Sequence, residues 1–193
     1  MIAHLRGKLI TKHPNQAIVE AGGVGYDVAI TVPTFSELPR AGAEVALHIH
    51  THVREDAIAL YGFLRKEEKQ LFEKLISVGG IGPKLAVTIL SGMASGELIA
   101  AIRGNDVARL IRIPGIGRKT AERMVLELRD KLEDFGVAAA TAAATPAEED
   151  VLSALVNLGY PRAAAERAVA AARGGAQADF DALFRDSLAM LSK

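Results

Sequence analysis

The chain has 193 residues, of which 50% are hydrophobic, and its 23 basic and 23 acidic side chains give a formal net charge of zero. Because it contains no cysteine, disulfide frameworks, thiolate metal sites and cysteine nucleophiles are excluded. It has no signal peptide and no apolar run of about 18 residues, so we expect a cytoplasmic protein without a membrane span.

Charge is distributed unevenly along the chain. Residues 1–64 carry five basic and six acidic side chains, residues 65–131 carry thirteen and eight, and residues 132–193 carry five and nine. A net positive central segment therefore lies between two acidic flanks. Such asymmetry indicates that the central segment contacts nucleic acid.

Residues 1–64 show the two-residue alternation of β-strands. Apolar side chains take every second position over 24–32, and again over 45–53 except at Thr51. Residues 33–38 are compatible with a short helical turn. Shorter strand patterns lie near 2–11, 15–21 and 57–63. Five short antiparallel strands predict a small barrel of the OB type, a common nucleic-acid scaffold.

The central segment contains two copies of a similar sequence. Residues 75–90 read LISVGGIGPKLAVTIL, and residues 110–125 read LIRIPGIGRKTAERMV. A repeated helical unit of this kind indicates duplication, and the repeated sequence resembles the helix-hairpin-helix motif, a DNA-binding element without sequence preference. The aligned residues are Gly80 with Gly115, Gly82 with Gly117, and Lys84 with Lys119.

Each copy has the chemistry of a phosphate site. Glycine lacks a Cβ, so a Gly-x-Gly hairpin lets the backbone approach a ligand closely. The helix that follows directs free N–H groups and its positive dipole end at that ligand, and the lysine adds a full charge. Such contacts bind phosphate and read no bases. The alternative is that each Gly-x-Gly is only a tight helix–helix turn.

The last third of the chain is predicted to be helical. Residues 136–145 form an alanine-rich stretch, interpreted as a flexible linker, with a helical extension as the alternative. Thr145, Pro146 and Glu148 have the residue types of a helix start. Three helices over 146–157, 161–173 and 179–191 predict a small domain spanning 146–193, suited to holding a partner.

Taken together, the motifs resemble the RuvA family of bacterial Holliday junction-binding proteins over the whole chain. The stretches that carry the resemblance are GGVGYDV at 22–28, HVREDAIALYGF at 52–63, GGIGPKLA at 79–86 and PGIGRKTAERM at 114–124. The resemblance implies a multidomain α+β chain. Its parts are an OB-like barrel at 1–64, an all-α tandem helix-hairpin-helix domain at 65–135, the linker at 136–145 and a three-helix domain like ubiquitin-associated domains at 146–193.

The resemblance also implies a function, partners and site residues. Members form tetramers, sometimes double tetramers, that hold four-way junction DNA and work with the hexameric ATPase RuvB in branch migration during recombination, repair and the SOS response to DNA damage. The junction resolvase RuvC is a further expected partner. Glu55 and Asp56 match the family's acidic pin, a turn near the four-fold centre. The expected DNA-binding residues are Gly80, Gly82, Lys84, Gly115, Gly117, Arg118, Lys119 and Arg123.

The isolated chain is expected to be non-catalytic and to use no cofactor. The sequence GIGRKT is not a P-loop, because no glycine precedes its lysine. A repair glycosylase or lyase with Lys119 as a Schiff-base nucleophile is the enzymatic alternative. A pure adaptor is another, with Leu155, Leu158 and Leu183 either docking a partner or forming their domain's own core.

Three histidines share one face of a predicted strand. His48, His50 and His52 alternate with apolar residues, so their side chains fall on the same side. No carboxylate or cysteine pattern supports a metal there. We expect no metal and interpret the three as a polar outer face or a tetramer contact.

Overall fold

The computed structural model of the chain divides into two compact units, Met1–Phe135 and Gly136–Lys193. The residues that the structure describes are 1–132, 135, 146–172 and 180–191. The predicted linker at 136–145, with the expected N-cap Thr145, lies outside the described residues.

The first unit begins with a closed five-stranded barrel, which confirms the predicted OB-like fold. Its elements are β1 (His4–His13), β2 (Gln16–Ala21), β3 (Val24–Ile30), α1 (Val32–Glu37), β4 (Glu44–Val53) and β5 (Ile58–Phe63). The strand order around the barrel is β1-β2-β3-β5-β4. β3 and β5 pair in parallel, with Val28 opposite Leu60, whereas the other neighbours are antiparallel. The expectation of five antiparallel strands is wrong for this pair, because α1 and β4 form a crossover between the two strands.

Alternating apolar positions fill the barrel interior. On β4, Val45, Leu47 and Ile49 are buried as the alternation predicts. Val53, on the same strand, is 64% exposed. It pairs with Ile58 of β5 beyond the point where β4 leaves β1. This end of the hairpin is a two-stranded ribbon, so the alternation continues there without an interior to fill.

Helices follow the barrel within the first unit, as predicted for the hairpin region. They are α2 (Lys66–Ile76), α3 (Pro83–Gly92), α4 (Ser95–Arg103), α5 (Val107–Leu110) and α6 (Arg118–Leu128), with a 3-10 turn at Asp130–Leu132. Phe72 of α2 stacks on Tyr61 and packs at a tilt against Phe63, both of β5, with ring centroids 5.1 Å apart in each pair. The barrel wall and α2 therefore share one core.

A partly buried carboxyl group also connects the barrel to the helices. Glu68 of α2 accepts hydrogen bonds from the hydroxyls of Thr31, at 2.5 Å, and Thr34, at 3.1 Å. Burial raises the pKa of Glu68, and the two hydroxyl donors partly oppose that effect. The Val32 amide donates to the Ser91 hydroxyl of α3 at 3.1 Å. The hairpin helices are thus fixed to the barrel by directional bonds as well as by apolar packing.

The second unit contains the three predicted helices, α7 (Pro146–Asn157), α8 (Arg162–Ala171) and α9 (Phe180–Leu191). Their buried residues form a separate small core of Val151, Leu155, Ala165, Val169 and Leu183. Among the described residues no single helix is long and apolar enough to cross a membrane. α3 and α4 taken together, bent by 101°, meet the length and composition criteria.

Candidate nucleic-acid interface

The first hairpin, between α2 and α3, turns on a left-handed glycine. Gly80 has φ of +93°, a conformation that other residues rarely adopt. Ile81 is buried, and its amide donates to the Val78 carbonyl at 3.0 Å, which anchors the loop from inside. Gly82 is the N-cap of α3, with φ of −85° and ψ of 169°. The helix therefore begins directly at the tip of the hairpin.

The second hairpin, between α5 and α6, repeats this geometry. Gly115 has φ of +87°, and buried Ile116 donates its amide to the Ile113 carbonyl at 3.1 Å. Gly117 is the N-cap of α6, with φ of −88° and ψ of 167°. The duplication seen in the sequence is therefore a duplication of backbone conformation.

Both hairpin tips present open helix N-termini. No side chain caps the helix at Gly82 or at Gly117, and the first amides of a helix have no acceptor within it. The first residue of α3 is Pro83, which has no N–H, so the first hairpin offers one amide fewer than the second. A Cβ placed on either glycine would meet no heavy atom within 4 Å. An anion can therefore approach these amides at the positive end of each helix dipole.

Cationic side chains flank each tip. Lys84 and Lys119 are exposed second residues of α3 and α6, and neither forms an ion pair with any described residue. Arg118 is 83% exposed and its Nε lies 2.9 Å from the Glu122 carboxylate, one helical turn away. The lysines thus keep their full charge for a ligand, whereas the charge of Arg118 is partly compensated.

Arg123 of α6 makes a contact that the sequence did not predict. Its Nη1 donates to the carbonyl of Gly79, in the first hairpin, at 3.0 Å. Its Nε lies 3.8 Å from the Glu127 carboxylate. The side chain expected to bind phosphate therefore also joins the second hairpin helix to the first hairpin.

The two residues expected to form an acidic pin occupy the tip of the β4–β5 ribbon. Glu55 and Asp56 are exposed, and the turn that carries them is closed by the Arg54 amide, which donates to the Ala57 carbonyl at 2.8 Å. Neither carboxylate forms a salt bridge within the described part of the chain. Arg54 directs its Nε to the His52 ring at 3.2 Å. The tip therefore presents two uncompensated negative charges away from the barrel.

Three family models match successive parts of the chain. The RuvA N-terminal domain matches residues 1–62, a SAM-like tandem helix-hairpin-helix matches residues 72–130, and the RuvA C-terminal domain matches residues 146–192. The three matched ranges correspond to the barrel, the hairpin helices and the second unit.

Full-length relatives carry a single name, Holliday junction branch migration complex subunit RuvA. The protein from Acidobacterium capsulatum is 60% identical over 197 residues, with 99% of this chain and 100% of that protein covered. The one from Solibacter usitatus is 59% identical at the same coverage, and the one from Geobacter metallireducens is 47% identical over the whole of both chains. The chain belongs to the RuvA family.

The C-terminal leucines of this RuvA family member are mostly core residues. Leu155 of α7 and Leu183 of α9 are buried in the second unit, so they are not the exposed docking side chains considered for a partner. Their spacing from Val151 and Ser187 places them on the inward helix faces, since residues four apart share a face. Leu158 is 60% exposed and stays a candidate contact.

Two of the three strand histidines contact polar side chains of the protein. The Nδ1 of His50 lies 3.1 Å from Glu73 of α2, and His52 accepts from Arg54. His48 is partly buried on the same strand. Among the described residues no group of three or more histidine, aspartate or glutamate side chains is arranged to hold a metal.

Proposed function

We propose that this chain binds four-way junction DNA as the non-catalytic subunit of a branch migration complex. The observation that carries the proposal is the pair of hairpins with matching torsion angles, each placing open helix amides beside an exposed lysine. Phosphate oxygens are the ligand that this chemistry fits. The relatives that match over full length are named as subunits of the same complex.

The site residues divide into two hairpin groups. In the first, Gly80 and Gly82 offer backbone amides and Lys84 adds charge. In the second, Gly115 and Gly117 play the same part, with charge supplied by Lys119 and Arg118, while Arg123 reaches between the groups. These contacts bind DNA without regard to base sequence, since base edges are not involved.

The acidic pin supplies shape discrimination in this proposal. In a homotetramer, Glu55 and Asp56 from four barrels surround the crossover, and in a pair of tetramers on one junction each tetramer contributes four such pairs. Two unit charges 4 Å apart repel by about 1 kcal/mol in water and by about 4 kcal/mol at an effective dielectric constant of 20. Phosphates crossing the centre in linear duplex meet this repulsion, whereas an open square junction avoids it.

The proposed division of labour follows the domains. Residues 1–64 carry the pin and assemble the tetramer, residues 65–135 bind DNA, and residues 136–145 link them to the last domain. Residues 146–193 recruit the hexameric ATPase RuvB, with Leu158 as an exposed contact. The resolvase RuvC is proposed to bind the same junction complex. The ATPase supplies the energy of branch migration, and this chain hydrolyses no ATP.

A competition gel shift tests the proposal. A labelled four-way junction is competed with unlabelled junction and with linear duplex of the same sequence, at one stated salt concentration. Strong preference for the junction supports the proposal, whereas equal competition reduces the chain to a general duplex binder. Strand cleavage of abasic DNA by the purified chain would instead favour the lyase alternative, which the full-length relatives do not favour.

A further inference from the structure

We infer that Arg123 is a positioning residue that fixes the two hairpins relative to each other, so that they bind DNA as one clamp. This inference rests on the proposed function. It assigns to Arg123 a role through Gly79 that is distinct from donating to phosphate.

The bond from Arg123 runs from α6 to the first hairpin, and the described residues form no matching bond from α3 to the second hairpin. Its guanidinium lies against the backbone of Gly79, because a Cβ there would be 2.8 Å from Nη1 and 3.7 Å from Cδ. The residue before the second left-handed glycine is Pro114, and the residue of α3 in the place of Arg123 is Thr88. The Thr88 hydroxyl donates within its own helix, to the Lys84 carbonyl at 3.1 Å.

A second contact runs in the opposite direction. Leu85 of α3 packs on the second hairpin, because a Cβ at Gly115 would lie 2.9 Å from its Cδ1. Each hairpin helix therefore contacts the other helix's hairpin, one through a guanidinium and one through a methyl group. We call the bond from Arg123 to Gly79 and the contact of Leu85 with Gly115 the hairpin brace.

The hairpin brace sets the distance between the two groups of amides. Binding energy from two sites on one ligand is realised in full only when their spacing is fixed in advance, since ordering them during binding costs free energy. Arg123 has five N–H donors. With Nη1 on the Gly79 carbonyl and Nε facing Glu127, its other amino group has no partner among the described residues and is available for phosphate.

Charge-conserving variants separate positioning from phosphate binding. Arg123→Lys keeps one positive charge but lacks the planar fork that holds two partners at fixed angles. Gly79→Ala removes no charge, and its backbone is outside the left-handed region, so alanine is compatible there. The added methyl displaces the flexible guanidinium. Gly96→Ala is the matched control, because a Cβ in that position of α4 meets open space.

The measurement is junction affinity against salt concentration, with a thermal unfolding midpoint for each variant. We expect Arg123→Lys and Gly79→Ala each to weaken binding about three- to tenfold, because the hairpins must then be ordered during binding. The salt slope should be unchanged, and the midpoint should fall by only the few degrees that one exposed hydrogen bond contributes. The double variant should bind no worse than either single variant, because both changes break the same bond. Gly96→Ala should bind like the unaltered protein.

Two outcomes would overturn the inference. If both charge-conserving variants bound normally while Arg123→Gln lowered the slope by about 0.9 per protomer, Arg123 would be a phosphate ligand alone. If the midpoints fell and affinity did not, the hairpin brace would serve folding only. Failure of the unaltered protein to prefer the junction would count against the proposed function instead, so the two failures are distinguishable.

Discussion

The equivalence of the two hairpins predicts that Lys84 and Lys119 contribute equally to phosphate binding. Both are the second residue of a helix that starts from the same glycine conformation, and neither has an ion-pair partner among the described residues. Changing either to glutamine removes one phosphate contact, so the slope of log K against log salt should decrease in magnitude by about 0.9 per protomer. In a tetramer with every hairpin engaged, the decrease is about 3.6.

Filter binding or fluorescence anisotropy on several junction sequences, from low to moderate salt, measures this slope. All sequences should be affected alike, because the contacts read no bases. Arg167→Gln is the control, since that exposed cation of α8 lies in the second unit and, among the described residues, donates to the backbone of its own helix alone. A large effect of one lysine and none of the other would refute the equivalence, and an unchanged slope for both would remove the lysines from the phosphate contacts.

Three further predictions concern the acidic pin, the partly buried carboxyl group of Glu68 and the C-terminal leucines. The paired change Glu55→Gln with Asp56→Asn should keep junction affinity and reduce junction-over-duplex preference about tenfold, or about 1.4 kcal/mol; unaltered preference in the competition assay would contradict the repulsion argument. Because burial raises the pKa of Glu68, the folded state favours its protonated form, and its stabilising contribution is lost as pH rises through the folded pKa. Urea unfolding should therefore show Glu68→Gln gaining stability relative to the unaltered protein as pH rises above about 4, the ordinary range of a glutamate pKa, and a constant difference would exclude this linkage. Leu155→Ala should destabilise the second unit by about 2–5 kcal/mol, whereas Leu158→Ala should cost under about 0.5 kcal/mol and weaken ATPase capture, and equal losses of stability would show that Leu158 is also a core residue.

The sequence predicted the hairpins well because their signal is local. A glycine with positive φ, a buried residue after it and a glycine N-cap lie within three positions, as at Gly80, Ile81 and Gly82. The strands could be predicted from the sequence equally well, because two-residue alternation reflects one buried face.

What the sequence left undetermined depends on contacts between distant residues. The parallel pairing of β3 with β5 joins residues some thirty positions apart, and no local pattern specifies it. The bond from Arg123 to Gly79 spans 44 positions, so an arginine in a basic helix start was interpreted only as a phosphate ligand. The paired glycines at 79 and 80 were the one available signal, because only the second has the positive φ that requires glycine.

A chain of zero net charge can bind DNA because its excess basic and excess acidic residues lie in different parts of the chain. Acidic partners within the hairpin helices, such as Glu122 and Glu127, compensate the arginines, which leaves the helix amides and two lysines as the strongest anion sites. A crossover that moves by one base pair exposes new bases at each step but keeps the same phosphate spacing. Contacts that read no bases, held at a constant separation by the hairpin brace, therefore suit a junction that must be gripped and still be able to move.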